Sequence, residues 1–169
     1  MTIFIVCISV VITQRIVELI IARNHTEKLS KIGAIEYDRN GYRVIVIMHI
    51  CFFISLFTEY IIFRNRLNTF WYIFAVIILF GQVLRYWAIR SLGVNWTTRI
   101  IAVKGGRLIK SGPYKYFKHP NYSAVVIEIA LLPLVFSCYF TSIVFTVLNF
   151  FILRRRIRIE TNTLNNNII

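Results

Sequence analysis

The sequence predicts an all-α integral membrane protein of about five transmembrane helices that ends in a helical hairpin, and three observations predict it. Hydrophobic residues make up 57% of the chain and the mean hydropathy is +0.66, both far outside the range of soluble domains. The apolar residues come in runs long enough to cross a bilayer, which takes roughly 20 residues of helix. Twenty Lys and Arg stand against seven Asp and Glu, a formal charge of +13, and the basic residues fall mainly between the runs. In a soluble chain that excess would suggest nucleic acid. Here the positive-inside rule and anionic lipid headgroups account for it, so membrane lipid is the expected partner and nucleic acid is not.

The first run is Ile3 to Ile21, interrupted by Arg15 and Glu18, whose i,i+3 spacing puts them on one helix face where they can pair. No basic segment precedes it and no small-residue cleavage site follows, so it reads as a retained anchor. The second run is Val44 to Ile62 and the third is Phe70 to about Ala88, with Trp71, Tyr72, Tyr86 and Trp87 near its ends as interfacial aromatics. A long polar segment, Ile89 to Tyr122, comes next. Ser123 to Phe151 is then apolar for longer than one span requires, and Pro133 removes a backbone donor inside it, so two helices in a tight hairpin are expected with the turn around Cys138. The whole chain reads as a single domain, with N-terminal spans over 1–88 and a catalytic region over 89–169. The loop Ala22 to Arg43, the long loop and the tail hold most of the basic residues and fall on one side of a five-span topology, with only Arg64 and Arg66 on the other. The N-terminus is therefore expected outside and the C-terminus in the cytoplasm, in a multi-pass protein of the cell membrane. Cys7, Cys51 and Cys138 form no CxxC and no cluster of metal spacing. They read as small buried apolar residues, and no metal is expected.

The long loop is where chemistry is expected, because loops of that length without periodicity tend to be functional. Lys104 to Tyr122 reads KGGRLIKSGPYKYFKHPNY. Gly105-Gly106 and Gly112-Pro113 are turn signals that would fold the chain back and present backbone N–H groups. A basic, aromatic-rich loop lying on headgroups would have the same composition. His119-Pro120 sits where the loop meets the fourth span, with Tyr114, Tyr116, Asn121 and Tyr122 around it. His25 and His49 have no such company and read as hydrogen-bonded structural residues. Glu128 lies inside the fourth span, where a carboxylate needs a partner or a task; Arg15 and Arg85 are possible partners, and a substrate contact is the other reading. In the tail, Arg156 and Glu160 are four residues apart and share a helix face. They could be a stop-transfer cluster with an exposed pair, or a cation and an anion that meet an acidic substrate and a cofactor's ammonium.

At these residues the chain resembles the isoprenylcysteine carboxyl methyltransferase family of membrane enzymes. The match runs from about Asn95 to Leu164 and rests on SGPYKYFKHPNY (Ser111 to Tyr122), the hydrophobic hairpin, and RRRIRIETNTL (Arg154 to Leu164). RIVELIIARN (Arg15 to Asn24), NWTTRII (Asn95 to Ile101) and HPNYSAVVIEIALLPL (His119 to Leu134) are similar to the short bacterial branch, some members of which methylate alkylpyrones. The resemblance implies S-adenosyl-L-methionine as cofactor, with Arg99, Gly106, Arg107, Leu108, Ile109, Tyr114, His119, Pro120, Asn121 and Tyr122 lining its pocket and Glu160 in contact with it. It implies that Arg156 is the catalytic residue facing the acidic group of a lipophilic substrate, a prenylcysteine-like or alkylpyrone compound. Two departures stand out: a family Gly two residues after the motif Tyr is Ala124 here, and the acidic run is reduced to Glu160.

Methyl transfer from a sulfonium needs alignment and exclusion of water more than a protein nucleophile, and no Ser/His/Asp triad is visible. The chain also lacks GxGxxG and strand–helix alternation, so loops and helix ends would have to bind the cofactor. Two other readings remain open on sequence. One is an NADPH-dependent membrane reductase of the sterol reductase type, with Arg99, Arg107 and Lys110 meeting a nucleotide phosphate. The other is a non-enzymatic small membrane protein with a basic lipid-facing surface.

Overall fold

The computed structural model describes residues 1–103, 105 and 109–167. Five helices make up nearly all of it: α1 Thr2–Lys31, α2 Arg39–Ile62, α3 Trp71–Leu92, α4 Pro120–Val135 and α5 Tyr139–Asn167. Two three-residue strands, β1 Ile35–Tyr37 and β2 Ile100–Ala102, pair antiparallel with Glu36 opposite Ile101. By length and composition, α1, α2 and the helical stretch Trp71–Asn95 can each cross a membrane, whereas α4 is apolar but shorter. Helix α5 is apolar only as far as Leu153, where Arg154, Arg155 and Arg156 begin.

Helix α1 outruns its apolar segment by ten residues. The added turns carry the i,i+4 pair Arg23 Nε to Glu27 at 3.1 Å, and lysines in the last turn suit the negative end of the helix dipole. The core at the end remote from those turns is aromatic: Phe4 stacks on Tyr60 with ring centroids 3.8 Å apart and meets Phe136 edge-on at 4.9 Å. Helices α3 and α4 pack closely at Gly81, where an added Cβ would come within 3.2 Å of Ile127.

The predicted hairpin is present, with its turn at Phe136–Cys138. Pro133 sits in the last turn of α4, and its carbonyl accepts from Cys138 N at 2.9 Å. Ser137 takes a left-handed φ of 57° to reverse the chain. A carboxylate from another helix caps the start of α5: the Glu59 oxygens accept from Phe140 N at 3.0 Å and Thr141 N at 2.7 Å. A charged side chain thus satisfies the first backbone donors of α5.

The bundle also encloses a charged cluster. Arg15 of α1 bonds both Glu18, at 2.6 Å, and Glu128, and Arg85 of α3, fully buried, lies 3.0 Å from Glu128 and 3.5 Å from Glu18. Gln82 donates to Glu128 at 2.9 Å, and Gln14 donates to Gln82 at 2.6 Å. Two cations and two anions cancel, which is how α1, α3 and α4 carry these groups among apolar helices. The predicted Arg15–Glu18 pair therefore exists as half of a four-residue cluster. Cys138 is buried as expected, but Cys51 is exposed on α2.

Candidate active site

One cavity of about 510 Å³ lies between α1, α2, α5, the loop after α3 and the start of α4. Its axis follows α5, where every residue of the stripe Asn149, Leu153, Arg156, Glu160 and Leu164 lines it. Those steps of three or four residues keep one helix face on the cavity over about 22 Å of axial rise.

Three arginines in a row end up in three environments because each step turns the helix by about 100°. Arg154 is exposed. Arg155 forks onto Asp38, the residue that caps α2, with contacts of 2.9 and 2.8 Å. Gly41 makes room for that fork, since a Cβ there would lie 1.9 Å from Asp38 Oδ2 and 2.5 Å from Arg155 Nη1. Arg156 turns inward and is only 7% exposed. Its Nε donates to the Tyr122 hydroxyl at 2.8 Å, and its Nη2 donates to the Thr98 carbonyl at 2.5 Å. Its remaining nitrogen has no hydrogen-bond partner among the described residues.

The expected i,i+4 contact of Arg156 with Glu160 runs through Tyr122. The Tyr122 hydroxyl accepts from Arg156 and donates to Glu160. His119 stacks on the Tyr122 ring with centroids 5.3 Å apart and an interplanar angle of 16°, and its Nδ1 lies 3.9 Å from Glu160 Oε1. Burial and the Glu160 carboxylate raise the Tyr114 phenol well above its ordinary range, so it stays protonated and can donate. At this end the cavity presents one carboxylate, aromatic faces and a hydroxyl, a donor set suited to an ammonium and a sulfonium.

Of the residues singled out from the sequence, Arg99, Ile109, Tyr114, His119, Asn121, Tyr122, Arg156 and Glu160 all line this cavity. Arg99 is already engaged, donating to Glu36 at 2.8 Å and lying 4.8 Å above the Tyr42 ring. It is therefore poorly placed to meet a nucleotide phosphate as a free cation. Pro120 is buried at the first turn of α4, outside the lining. Glu128, 4% exposed, is spent on Arg15, Arg85 and Gln82 and does not line the cavity; the lining there is Arg15 and Glu18. Gly106, Arg107 and Leu108 lie outside the described residues. Among the described residues no group of three or more His, Cys, Asp or Glu stands ready to hold a metal.

The sequence reading missed other lining residues. His49 does make the structural hydrogen bond expected of it, from Nδ1 to the Ile45 carbonyl at 2.9 Å, yet it also lines the cavity. Asn149 was passed over, although a polar side chain in an apolar helix is a signal. Leu19 of α1 and Ile50 of α2 line the cavity and are also 43% and 54% exposed, so the gap between those helices opens laterally.

Comparison with known proteins points to one family. The model of the isoprenylcysteine carboxyl methyltransferase (ICMT) family matches residues 73–166. The uncharacterized protein YpbQ of Bacillus subtilis is 43% identical over 157 residues, covering 93% of this chain and 94% of its own length. An uncharacterized protein of Haemophilus influenzae is 26% identical over 152 residues, 89% of this chain and 88% of its own. No solved structure matches.

Proposed function

The chain belongs to the isoprenylcysteine carboxyl methyltransferase family, and on that premise we propose that it transfers a methyl group from S-adenosylmethionine to an acidic oxygen of a lipophilic acceptor. The observation that carries the reading is the cavity in which Glu160 and the inward-facing Arg156 are bridged by one oxygen, the Tyr122 hydroxyl, in a pocket that opens between α1 and α2.

The residues present fit the cofactor. Glu160 would hold its ammonium, with Tyr114, His119, Asn121 and Tyr122 around the remainder, and about 510 Å³ is within the ordinary range for a small-molecule site. Bound there, S-adenosylmethionine supplies an electrophilic methyl that an ionised carboxylate or enolate displaces in line, the C–S electron pair leaving on sulfur. Arg156 holds the acceptor's anionic oxygen with the nitrogen left free by its bonds to Tyr122 and Thr98. Those two bonds fix the guanidinium before the acceptor arrives, so little ordering remains to be done at the moment of transfer. Apolar Ile45, Ile50, Phe53 and Leu153 exclude water from the reacting oxygen and receive the tail. The tail enters through the gap between α1 and α2. A five-span arrangement in the cell membrane, with α5's basic end and the site on the cytoplasmic side, follows from the placement of the basic residues. Prenylcysteine-like and alkylpyrone acids both meet these requirements.

Calorimetric titration of the detergent-purified protein with S-adenosylhomocysteine tests the cofactor reading. Wild-type protein should bind it, Glu160→Gln should bind it about tenfold more weakly, and NADPH should give no heat. Arg156→Ala should keep most of that affinity while methyl transfer to a lipophilic acid falls about a hundredfold. A wild-type protein that ignores S-adenosylhomocysteine overturns the proposal.

A further inference from the structure

Beyond Arg156 the cavity continues along α5 toward the middle of the bundle, and its far end is polar. Asn149 is 2% exposed and lines the cavity. Its Oδ1 is buried without a hydrogen-bond partner among the described residues. Leaving a buried amide unpaired costs about 1–3 kcal/mol, and α5 places this one among Phe150, Phe151 and Leu148, where an apolar residue would cost nothing.

His49 of α2 stands at the same level. The two helices run antiparallel in a register set by the Ser55–Thr141 hydroxyl contact at 2.8 Å and the Phe52–Phe145 ring contact at 5.5 Å. Counting back from those contacts brings His49 level with Asn149 to within about one helical turn. The Ile45 carbonyl can only accept, so the neutral ring carries its proton on Nδ1 and Nε2 is left as an acceptor. An amide that can donate and an imidazole that can accept thus border the same apolar cavity, with Leu153 between them and Arg156.

We infer that Asn149 and His49 form a second polar subsite, which takes a hydroxyl carried on the tail of the lipophilic acid acceptor. A hydroxyl accepts from the Asn149 amide nitrogen and donates to His49 Nε2, which pairs the imidazole acceptor and the donor side of the amide. Seven residues separate Asn149 from Arg156, a rise of about 10 Å along one helix face, which an extended alkyl chain covers in roughly eight carbon–carbon bonds. The acceptor class is therefore a hydroxylated lipophilic acid, with the hydroxyl about that far from the oxygen that receives the methyl. This rests on the acceptor site proposed above and narrows it.

The test is equilibrium binding of two probes to the detergent-purified full chain: octadecanoic acid, and the same acid with a hydroxyl at about the ninth carbon. Wild-type protein should prefer the hydroxy acid about tenfold, the discrimination expected where an analogue leaves buried polar groups unpaired. Asn149→Leu and His49→Phe should each bring the ratio close to one, each variant's thermal midpoint being read to verify that it is folded. Equal binding of both acids by the wild type overturns the inference, as does a preference that survives Asn149→Leu. The S-adenosylhomocysteine titration separates the two failures, because the methyl-transfer reading stands or falls on that binding while this subsite stands or falls on the ratio.

Discussion

A single hydroxyl organises the chemistry at the residue scale. Tyr122 accepts from Arg156 and donates to Glu160, so the cation assigned to the acceptor and the anion assigned to the cofactor share one partner. Tyr122→Phe keeps the ring that stacks on His119 and removes both bonds. The expected outcome is an S-adenosylhomocysteine dissociation constant raised about tenfold and a lower turnover, in keeping with about 1–3 kcal/mol for stranding polar groups in a half-buried site; calorimetry and a methyl-transfer assay check it. Tyr122, Arg156 and Glu160 were legible because their spacing and chemistry are written locally. The bridge was not, since residues 34 and 38 positions apart meet only once the hairpin has folded. Asn149 and His49 escaped for a related reason: each is a lone polar letter in an apolar run, and only the α2–α5 register brings them to a similar level of one cavity.

Among the elements, the hairpin was readable from length and from Pro133, because an apolar run too long for one crossing must turn somewhere. What starts its second arm was unreadable. Glu59, at the far end of α2, supplies both acceptors for the first amides of α5. Glu59→Gln keeps one acceptor and sets an amide NH₂ against the other N–H. It should cost about 1–2 kcal/mol, seen as a lower thermal midpoint in detergent, and Glu59→Ala should cost more. The β1–β2 pair also lay below the threshold of pattern reading, as three residues show no reliable alternation. That ribbon nonetheless matters to the site: it brings Glu36 to Arg99, and β2 contributes all three of its residues, Ile100 to Ala102, to the cavity wall.

Across the whole molecule, the charged cluster of Arg15, Glu18, Arg85 and Glu128 joins three helices and borders the cavity through Arg15 and Glu18. Its neutrality gives a sharp expectation. Arg85→Met leaves two carboxylates facing one guanidinium and should cost about 3–5 kcal/mol, whereas Arg85→Met with Glu128→Leu restores the balance and should recover much of that loss. Thermal unfolding of the two variants side by side decides it, and a double variant no more stable than the single one would sink the idea.

The run Arg154, Arg155 and Arg156 ties these scales together. A translocation apparatus counts positive charge and is indifferent to which cation carries it, so to the machinery of insertion the three are one word. The helix spells that word out as three letters with separate meanings: one faces solvent, one forks onto Asp38 and one holds the site. Lysine should therefore be a synonym at 154, a mispronunciation at 155 where the two-pronged contact becomes single, and a different word at 156, although every version of the chain inserts the same way round.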